Sequence, residues 1–301
     1  MEQLSCANRP MFNNLKVHFA GCEQMEHICM ARDAGVQYFL FSCFPFIARQ
    51  FGINGFPIVV RDSFPPKEVQ AAGKHVIMDS GLFTLMFGAH AAPRDAKFVY
   101  AWQQALVEFV KSNNIAATCV EVDCQKILGV REAWALRETL RRDLPNRQIN
   151  VFHAEDGKAG LDSLIDFSDY IAISVPELRL RHGKNYAQHV HRLANYIKDR
   201  KPGIDIHLLG CTEANLLRKC SFCSTSDSTS WLSCVRWGRI LGKHVSQLDP
   251  ALLQRAKSPV EMMIEKYSIP SSPARVRANI LNYASAYIHK QHYAQHAGNQ
   301  E

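Results

Sequence analysis

The 301-residue sequence contains no run of about 18 apolar residues, the length a helix needs to cross a bilayer. No membrane-spanning helix and no membrane partner are therefore expected. Its first residues, MEQLSCANRPMFNN, hold no apolar stretch of the kind a secretory signal requires. Together with ten cysteines, this leads to the expectation of a cytoplasmic chain with reduced thiols. There is no internal repeat and no low-complexity tract, which excludes solenoids and biased linkers. No Gly-rich fingerprint follows the first strand-like run, as a dinucleotide-binding fold would require. No His-x-His follows it either, and HExxH is absent, so two common signatures of metal hydrolases are missing.

What is present is ordinary for a globular chain: 47% apolar and 21% charged residues. Such a chain builds a core without needing disulfides or structural metals. Lys and Arg number 35 against 28 Asp and Glu, a net charge of +7. A basic excess fits a nucleic-acid ligand, but also many enzymes of small metabolites. The cations cluster: Arg179, Arg181, Lys184, Arg192, Lys198, Arg200 and Lys201 form one group, and Arg236, Arg239 and Lys243 another. Solvated helix faces would look the same.

Short β-branched or apolar runs alternate with longer amphipathic ones. Strands are expected at KVHFA (16–20), QYFLFS (37–42), HVIMDS (75–80), TCVEVD (118–123), INVFHA (149–154), YIAIS (170–174) and DIHLLG (205–210), with an eighth at SFCST (221–225). Helical patterns cover 22–33, 95–112, 128–142, 187–200 and 213–218. Eight βα units match a (β/α)8 TIM barrel, with a doubly wound sheet as the alternative. Polar and acidic residues recur where the strands end: Glu23, Asp79, Ser80, Asp123, His153, Ser174, Gly210 and Asp227. In a barrel these positions converge on the catalytic face. The barrel is expected over 14–245. The remainder, 246–301, reads as an all-helical extension in two pieces separated by Pro270 and Pro273, with Ser271 or Ser272 capping the second.

Several acids at strand ends suit general acid/base work, nucleophile plus acid/base work, or a divalent metal. Asp79 ends an apolar strand in Asp-Ser-Gly, where Gly81 permits a sharp turn. Asp123 ends CVEVD and is followed by Cys124; Glu121 shares its parity, so both are expected on one side of the strand. Helix caps or structural carboxylates are the plain alternatives, and for His153 a packed core histidine. Asp227 lies in STSDSTSW, among six hydroxyl side chains. Cys220, Cys223, Cys234 and His244 offer a loose zinc set, although the C-x2-C lies directly against a predicted strand.

The order of these motifs resembles the tRNA-guanine transglycosylase superfamily. The residues that carry the resemblance are DSG after the third strand, Asp-Cys ending the fourth, and a polar end to the fifth. YIAIS and IHLLG follow, then an Asp in a loop after the last strand. KVHFAGCEQ, VFHAEDG, IHLLGCTE and DSTSW are closest to the shorter phage and bacterial 7-deazaguanine DNA transglycosylases (DpdA-type). The resemblance covers roughly residues 16–242. In the tRNA enzymes a C-x-C-x2-C…H zinc site follows the nucleophile, whereas here the C-x2-C precedes Asp227. Ser228-Thr229-Ser230-Trp231 also replaces their Pro-Thr-Arg segment. Both departures favour DNA over tRNA.

The resemblance implies an enzyme that exchanges guanine for a 7-deazaguanine such as preQ0. Asp227 would be the nucleophile and Asp79 the general acid/base. Asp123 would read the guanine N1–H and exocyclic amine. Ser80, Gly81, Cys124, His153, Ser174 and Gly210 would complete the pocket. Ser228, Thr229 and Ser230 would orient the nucleophile, and Trp231 would stack on a base. Arg179, Arg181, Lys184, Arg236, Arg239 and Lys243 would bind phosphates. No cofactor is required, zinc being the one option. Accessory enzymes of deazaguanine modification would be partners, and a phage protein would work in the host cytoplasm. Two alternatives share the fold: a tRNA enzyme without zinc, and a non-catalytic barrel that binds nucleic acid.

Overall fold

Runs such as YFLFS and YIAIS carry apolar side chains on both faces, the pattern of strands covered on both sides. In the computed structural model, which describes residues 14–22, 24–51, 73–82 and 95–297, they form a closed parallel barrel. Its strands are β1 Lys16–Phe19, β2 Tyr38–Ser42, β3 His75–Asp79, β4 Thr118–Val120, β5 Gln148–Phe152, β6 Tyr170–Ser174, β7 Asp205–Leu209 and β8 Thr225–Ser228. Each pairs with the next, and β8 closes on β1 with His18 opposite Asp227. The fold is a (β/α)8 TIM barrel. No helix of the described residues is long and apolar enough to cross a membrane.

Helices cover the outside by their apolar faces. In Ala96–Ser112 the buried face is Val99, Trp102, Leu106, Phe109 and Val110, the 3.6-residue spacing of one helical stripe. Asp95 starts this helix by accepting the Phe98 N–H at 2.8 Å. The C-terminal helices Pro250–Lys266 and Pro273–Ala297 belong to the same core. The second begins at Ser272, whose hydroxyl accepts the Arg275 N–H at 3.3 Å. It lies against the back of the β1–β8 seam, where Tyr293 meets the Phe19 ring at 5.8 Å.

The eighth strand lies later than expected, at Thr225–Ser228 instead of 221–225, so Asp227 sits within a strand and not in the loop after it. Serine and aspartate are poor strand formers on propensity alone. Here their side chains are satisfied in place. Thr225 is hydrogen-bonded to His207 at 2.7 Å, and the Ser226 hydroxyl donates to the Cys211 carbonyl at 2.8 Å. Tertiary context overrides propensity. The fourth strand, in contrast, stops early at Val120. Beyond it Glu121 and Asp123 both border the cavity at the barrel mouth, in keeping with their shared parity, but they take different partners. Glu121 is buried beside Arg137, with contacts of 2.6 and 2.7 Å, and accepts from Asn150 at 2.6 Å and from the Val151 N–H at 2.8 Å. Asp123 faces the barrel mouth. Glu23 lies outside the described residues, as do 298–301.

Glu121 is thus a structural carboxylate. Removing one partner of a buried, hydrogen-bonded ion pair leaves the other charge uncompensated. Glu121→Ala is expected to lower unfolding free energy by ~3–5 kcal/mol in urea denaturation with an unchanged slope. A loss below ~1 kcal/mol would mean that Arg137 finds another partner or water.

Candidate active site

The C-terminal mouth of the barrel opens into a cavity of about 630 Å³. Apolar side chains, including Leu40, Ile127, Val151 and Leu209, make up much of its wall. Against them stand five carboxylates, Asp79, Glu121, Asp123, Glu177 and Asp227, and two cationic side chains, Lys126 and His153; Glu121 is already paired with Arg137. Ser80 and Ser174 also line it. The strand-end acids expected from the sequence therefore do meet in one place.

Asp227 points inward because Thr225, two residues earlier on the same strand, does so too. Its Oδ1 accepts the Gly210 N–H at 2.7 Å and lies 3.2 Å from His207 Nε2. Gly210 adopts φ +65°, and a β-carbon there would meet Pro176 at 3.0 Å. Only glycine presents its amide in this way without strain. Asp79 is held by a second such device. Gly81, at φ +78°, donates its N–H to Asp79 Oδ1 at 2.5 Å, and a β-carbon would clash with the Phe44 backbone at 2.7 Å. Burial raises the Asp79 carboxyl to about 6; the Gly81 N–H opposes this, and the charges of Asp227 and Asp123 add to it.

The opposite wall is a chain of alternating charge. His153 Nε2 lies 2.7 Å from Asp123 Oδ1, and its Nδ1 lies 3.2 Å from Glu177 Oε2. Lys126 lies 3.2 Å from the same Glu177 oxygen. Burial works against a charged His153, but the hydrogen bonds and charges of Asp123 and Glu177 outweigh it and raise the ring to about 10. His153 is accordingly a cation that fixes Asp123, and not a base. Burial would raise Glu177, yet its contacts with His153 and Lys126 bring it below the usual carboxylate range.

Other expected residues take structural places. Cys124 is fully buried, with its thiol pushed up to about 12 by burial and the neighbouring acids. It precedes the short helix Gln125–Leu128 instead of lining the cavity. Ser228 faces away from Asp227 and is hydrogen-bonded to Ser230 at 2.7 Å; Ser230 reaches Tyr293 at 3.2 Å. Neither hydroxyl orients the carboxylate, because alternate residues of a strand face opposite sides. Thr229 lines the cavity. Trp231 is 1% exposed, donates its indole N–H to the Ala20 carbonyl at 2.8 Å and packs on Phe19. It is a core residue with no face left for a base.

The four zinc candidates do not assemble. Cys220 and Cys223 are buried at the turn before β8, while the Cys234 thiol donates to the Leu281 carbonyl and Asn282 Oδ1 of the last helix, both at 3.6 Å. His244 is exposed and accepts the Ser246 N–H at 3.2 Å. Among the described residues, no group of three or more His, Cys, Asp or Glu side chains is placed to hold a metal ion. Of the expected phosphate contacts, Arg179, Arg181 and Lys184 are exposed along the segment that leaves β6. Arg179 stacks over Tyr186 at 4.7 Å. Arg236, Arg239 and Lys243 are exposed on a short helix, Ser233–Trp237, and the small hairpin after it, where Arg236 lies over Trp237.

Three polar residues of the site were not expected from the sequence: His207, Lys126 and Glu177. A trace of Glu177 existed in Ser174-Val-Pro-Glu177, a capping pattern at the start of the helix Val175–His182. The Ser174 hydroxyl does accept the Glu177 N–H, at 3.4 Å, but the glutamate side chain turns to His153. No protein-family model and no curated protein matches the chain.

Asp79 also generates a stability prediction. Its folded value, about 6, exceeds its ordinary value of 3.8. Its contribution is fully present below 3.8 and is lost as pH rises through 6, because burial penalises the charged form. Asp79→Asn keeps an oxygen for the Gly81 N–H and never ionises. Its thermal midpoint relative to the parent is expected to climb between pH 4 and pH 7. A flat difference across that window would show that Asp79 ionises without penalty.

Proposed function

We propose that the protein is a base-exchange transglycosylase that replaces guanine in DNA with a 7-deazaguanine of the preQ0 type. The observation that carries this reading is a pair of carboxylates, Asp227 and Asp79, each held by a glycine amide, Asp227 with His207 beside it as well, over one cavity that also holds Asp123. Two acids in unlike environments divide the nucleophile and acid/base roles. Motif order supports the same assignment: Asp-Ser-Gly after β3, Asp-Cys after β4 and the aspartate of β8.

In the proposed reaction the Asp227 carboxylate attacks C1′ of the target deoxynucleotide. The C1′–N9 bond breaks and a glycosyl ester forms. Protonated Asp79 gives its proton to the departing guanine. The incoming 7-deazaguanine then gives a proton to Asp79 and attacks C1′, and the ester bond breaks. Atoms and charge balance without an oxidant or a metal. One difficult displacement becomes two easier ones. The oxocarbenium-like transition state is stabilised by the carboxylate beneath it. Asp123, fixed by His153, accepts from the N–H groups on the base edge. A tRNA substrate uses the same chemistry, and the experiment below separates the two polymers.

The deciding experiment is expression in cells that make 7-deazaguanine precursors, followed by mass spectrometry of nucleosides from DNA and tRNA separately. The expected result is a 7-deazaguanine deoxynucleoside that disappears with Asp227→Asn while the variant still folds. The same signal confined to tRNA assigns the tRNA reading. Wild-type exchange by Asp227→Asn rejects the nucleophile assignment. With purified protein, labelled guanine exchange should fall by about 10²–10⁴-fold in Asp79→Asn, the usual span of a lost general acid. In the parent it should decline as pH rises through about 6, as Asp79 loses its proton. Asp123→Ala should weaken guanine binding by about ten-fold or more, the cost of a lost hydrogen bond to a charged group. Unchanged affinity would remove Asp123 from base reading.

A further inference from the structure

One apolar side chain is both largely exposed and part of the cavity rim. Leu180 is 90% exposed. Of the exposed large hydrophobic residues among the described ones, it alone also lines the cavity. It lies on the helix Val175–His182, which starts at Ser174 inside the mouth and climbs outward. Pro176, Glu177 and Leu180 share the cavity-facing side, as positions one turn apart must. The opposite side, Val175 and Leu178, is buried against the barrel.

The helix is braced as well as anchored. Arg179 stacks over Tyr186 and donates to its hydroxyl at 3.1 Å, and that hydroxyl bonds Glu213. Leu180 is therefore carried on a braced element at the rim of the cavity. Exposed cations bracket it, Arg179 and Arg181 on the same helix and Lys184 just beyond. An apolar tip between cations, beside such a pocket, is complementary to a polyanion with an apolar interior. A stacked duplex with phosphates on either side has that chemistry.

We propose that Leu180 is a wedge that enters the base stack of duplex DNA as the target nucleotide leaves it for the cavity, while Arg181 and Lys184 hold the flanking phosphates. This deepens the transglycosylase reading and rests on it for the identity of the extruded base. Enzymes that act on a base inside a duplex must extrude it, at the cost of lost pairing and stacking. Leucine is among the apolar side chains that other DNA-bending proteins insert between base steps. A single strand has no stack to fill, so the wedge matters there far less.

Two readouts test this, one of them independent of base exchange. The first is the fluorescence of 2-aminopurine placed beside a guanine, in a pool of duplexes covering the neighbours of that guanine. It is measured with Asp227→Asn protein, in which no glycosyl ester forms. The second is labelled-guanine exchange on duplex and single strand of the same sequence. Leu180→Ala should abolish the fluorescence rise and lower the duplex-to-single-strand exchange ratio by at least ten-fold. Leu180→Phe, which restores an apolar wedge, should recover both. The side chain is solvent-exposed, so Leu180→Ala is expected to fold normally. Equal fluorescence with and without the leucine overturns the wedge and leaves the transglycosylase reading intact. An equal loss of exchange on both substrates also overturns it, since Leu180 would then act as cavity wall. A fluorescence rise that needs Leu180 in a protein without exchange activity keeps the wedge and rejects the transglycosylase. No rise with any duplex rejects the wedge whatever the exchange assay gives.

Discussion

The pairing of β8 with β1 is the constraint on which the site depends. Lys16, Val17, His18 and Phe19 face Thr225, Ser226, Asp227 and Ser228 in register. A strand of small hydroxyl residues closes the barrel, and its alternation sends Thr225 and Asp227 inward and Ser226 and Ser228 outward. A slip of one residue would turn Asp227 toward the outer helices and Ser226 toward the cavity. The outward hydroxyls resist that slip. Ser226 is bonded to the Cys211 carbonyl, and Ser228 to Ser230, which reaches Tyr293 of the last helix. The C-terminal helix is thus part of what fixes the register of Asp227, although it lies behind the barrel.

Below the acids the barrel interior is unusually polar. His18 is hydrogen-bonded to His75 at 2.8 Å, and His75 to Thr118 at 3.1 Å. His207 joins Thr225, whose hydroxyl meets that of Tyr170. Burial, with the Arg147 charge and His207, lowers His75 to about 4, and burial, with the charges of His75 and His207, holds His18 well below the usual imidazole value. His18 and His75 are therefore neutral at physiological pH and act as hydrogen-bonding spacers. An apolar ring that includes Leu40, Ile77, Val120 and Ala172 shares the barrel interior with them. His207 connects the polar interior to Asp227, so the carboxylate is supported from beneath by its strand neighbour's partner and from the side by the Gly210 amide.

Much of this was legible in the sequence, and the exceptions have physical causes. Apolar strands such as YIAIS and DIHLLG announce themselves because both of their faces are buried. The polar eighth strand does not, since its stability comes from partners on other strands that no local pattern reveals. Its place at a strand end located Asp79 correctly, whereas Asp227, expected in a loop, lies within β8. Trp231 illustrates a different failure. An aromatic close to Asp227 suggests base stacking, yet its indole N–H is bonded to the Ala20 carbonyl. Residue type was legible there, and direction was not. The helix Val175–His182 carried no clear amphipathic signal, and with it went Glu177 and Leu180.

The charge distribution limits what the cavity accepts. Five carboxylates border it; Glu121 is paired with Arg137, and the two cations of the wall are already engaged with Glu177, His153 also with Asp123. A phosphate entering this space would meet uncompensated negative charge in a wall that is largely apolar, where such repulsion is weakly screened. A planar base whose edge carries N–H donors meets acceptors instead. The exposed cations stand outside, on the rim helix and on the hairpin after Trp237. Backbone outside and base inside is the division that this geometry favours. It also accounts for the two glycine amides. Acids that converge in an apolar cavity repel one another, and the N–H groups of Gly210 and Gly81 hold Asp227 and Asp79 in place without bringing a competing cation to the space between them.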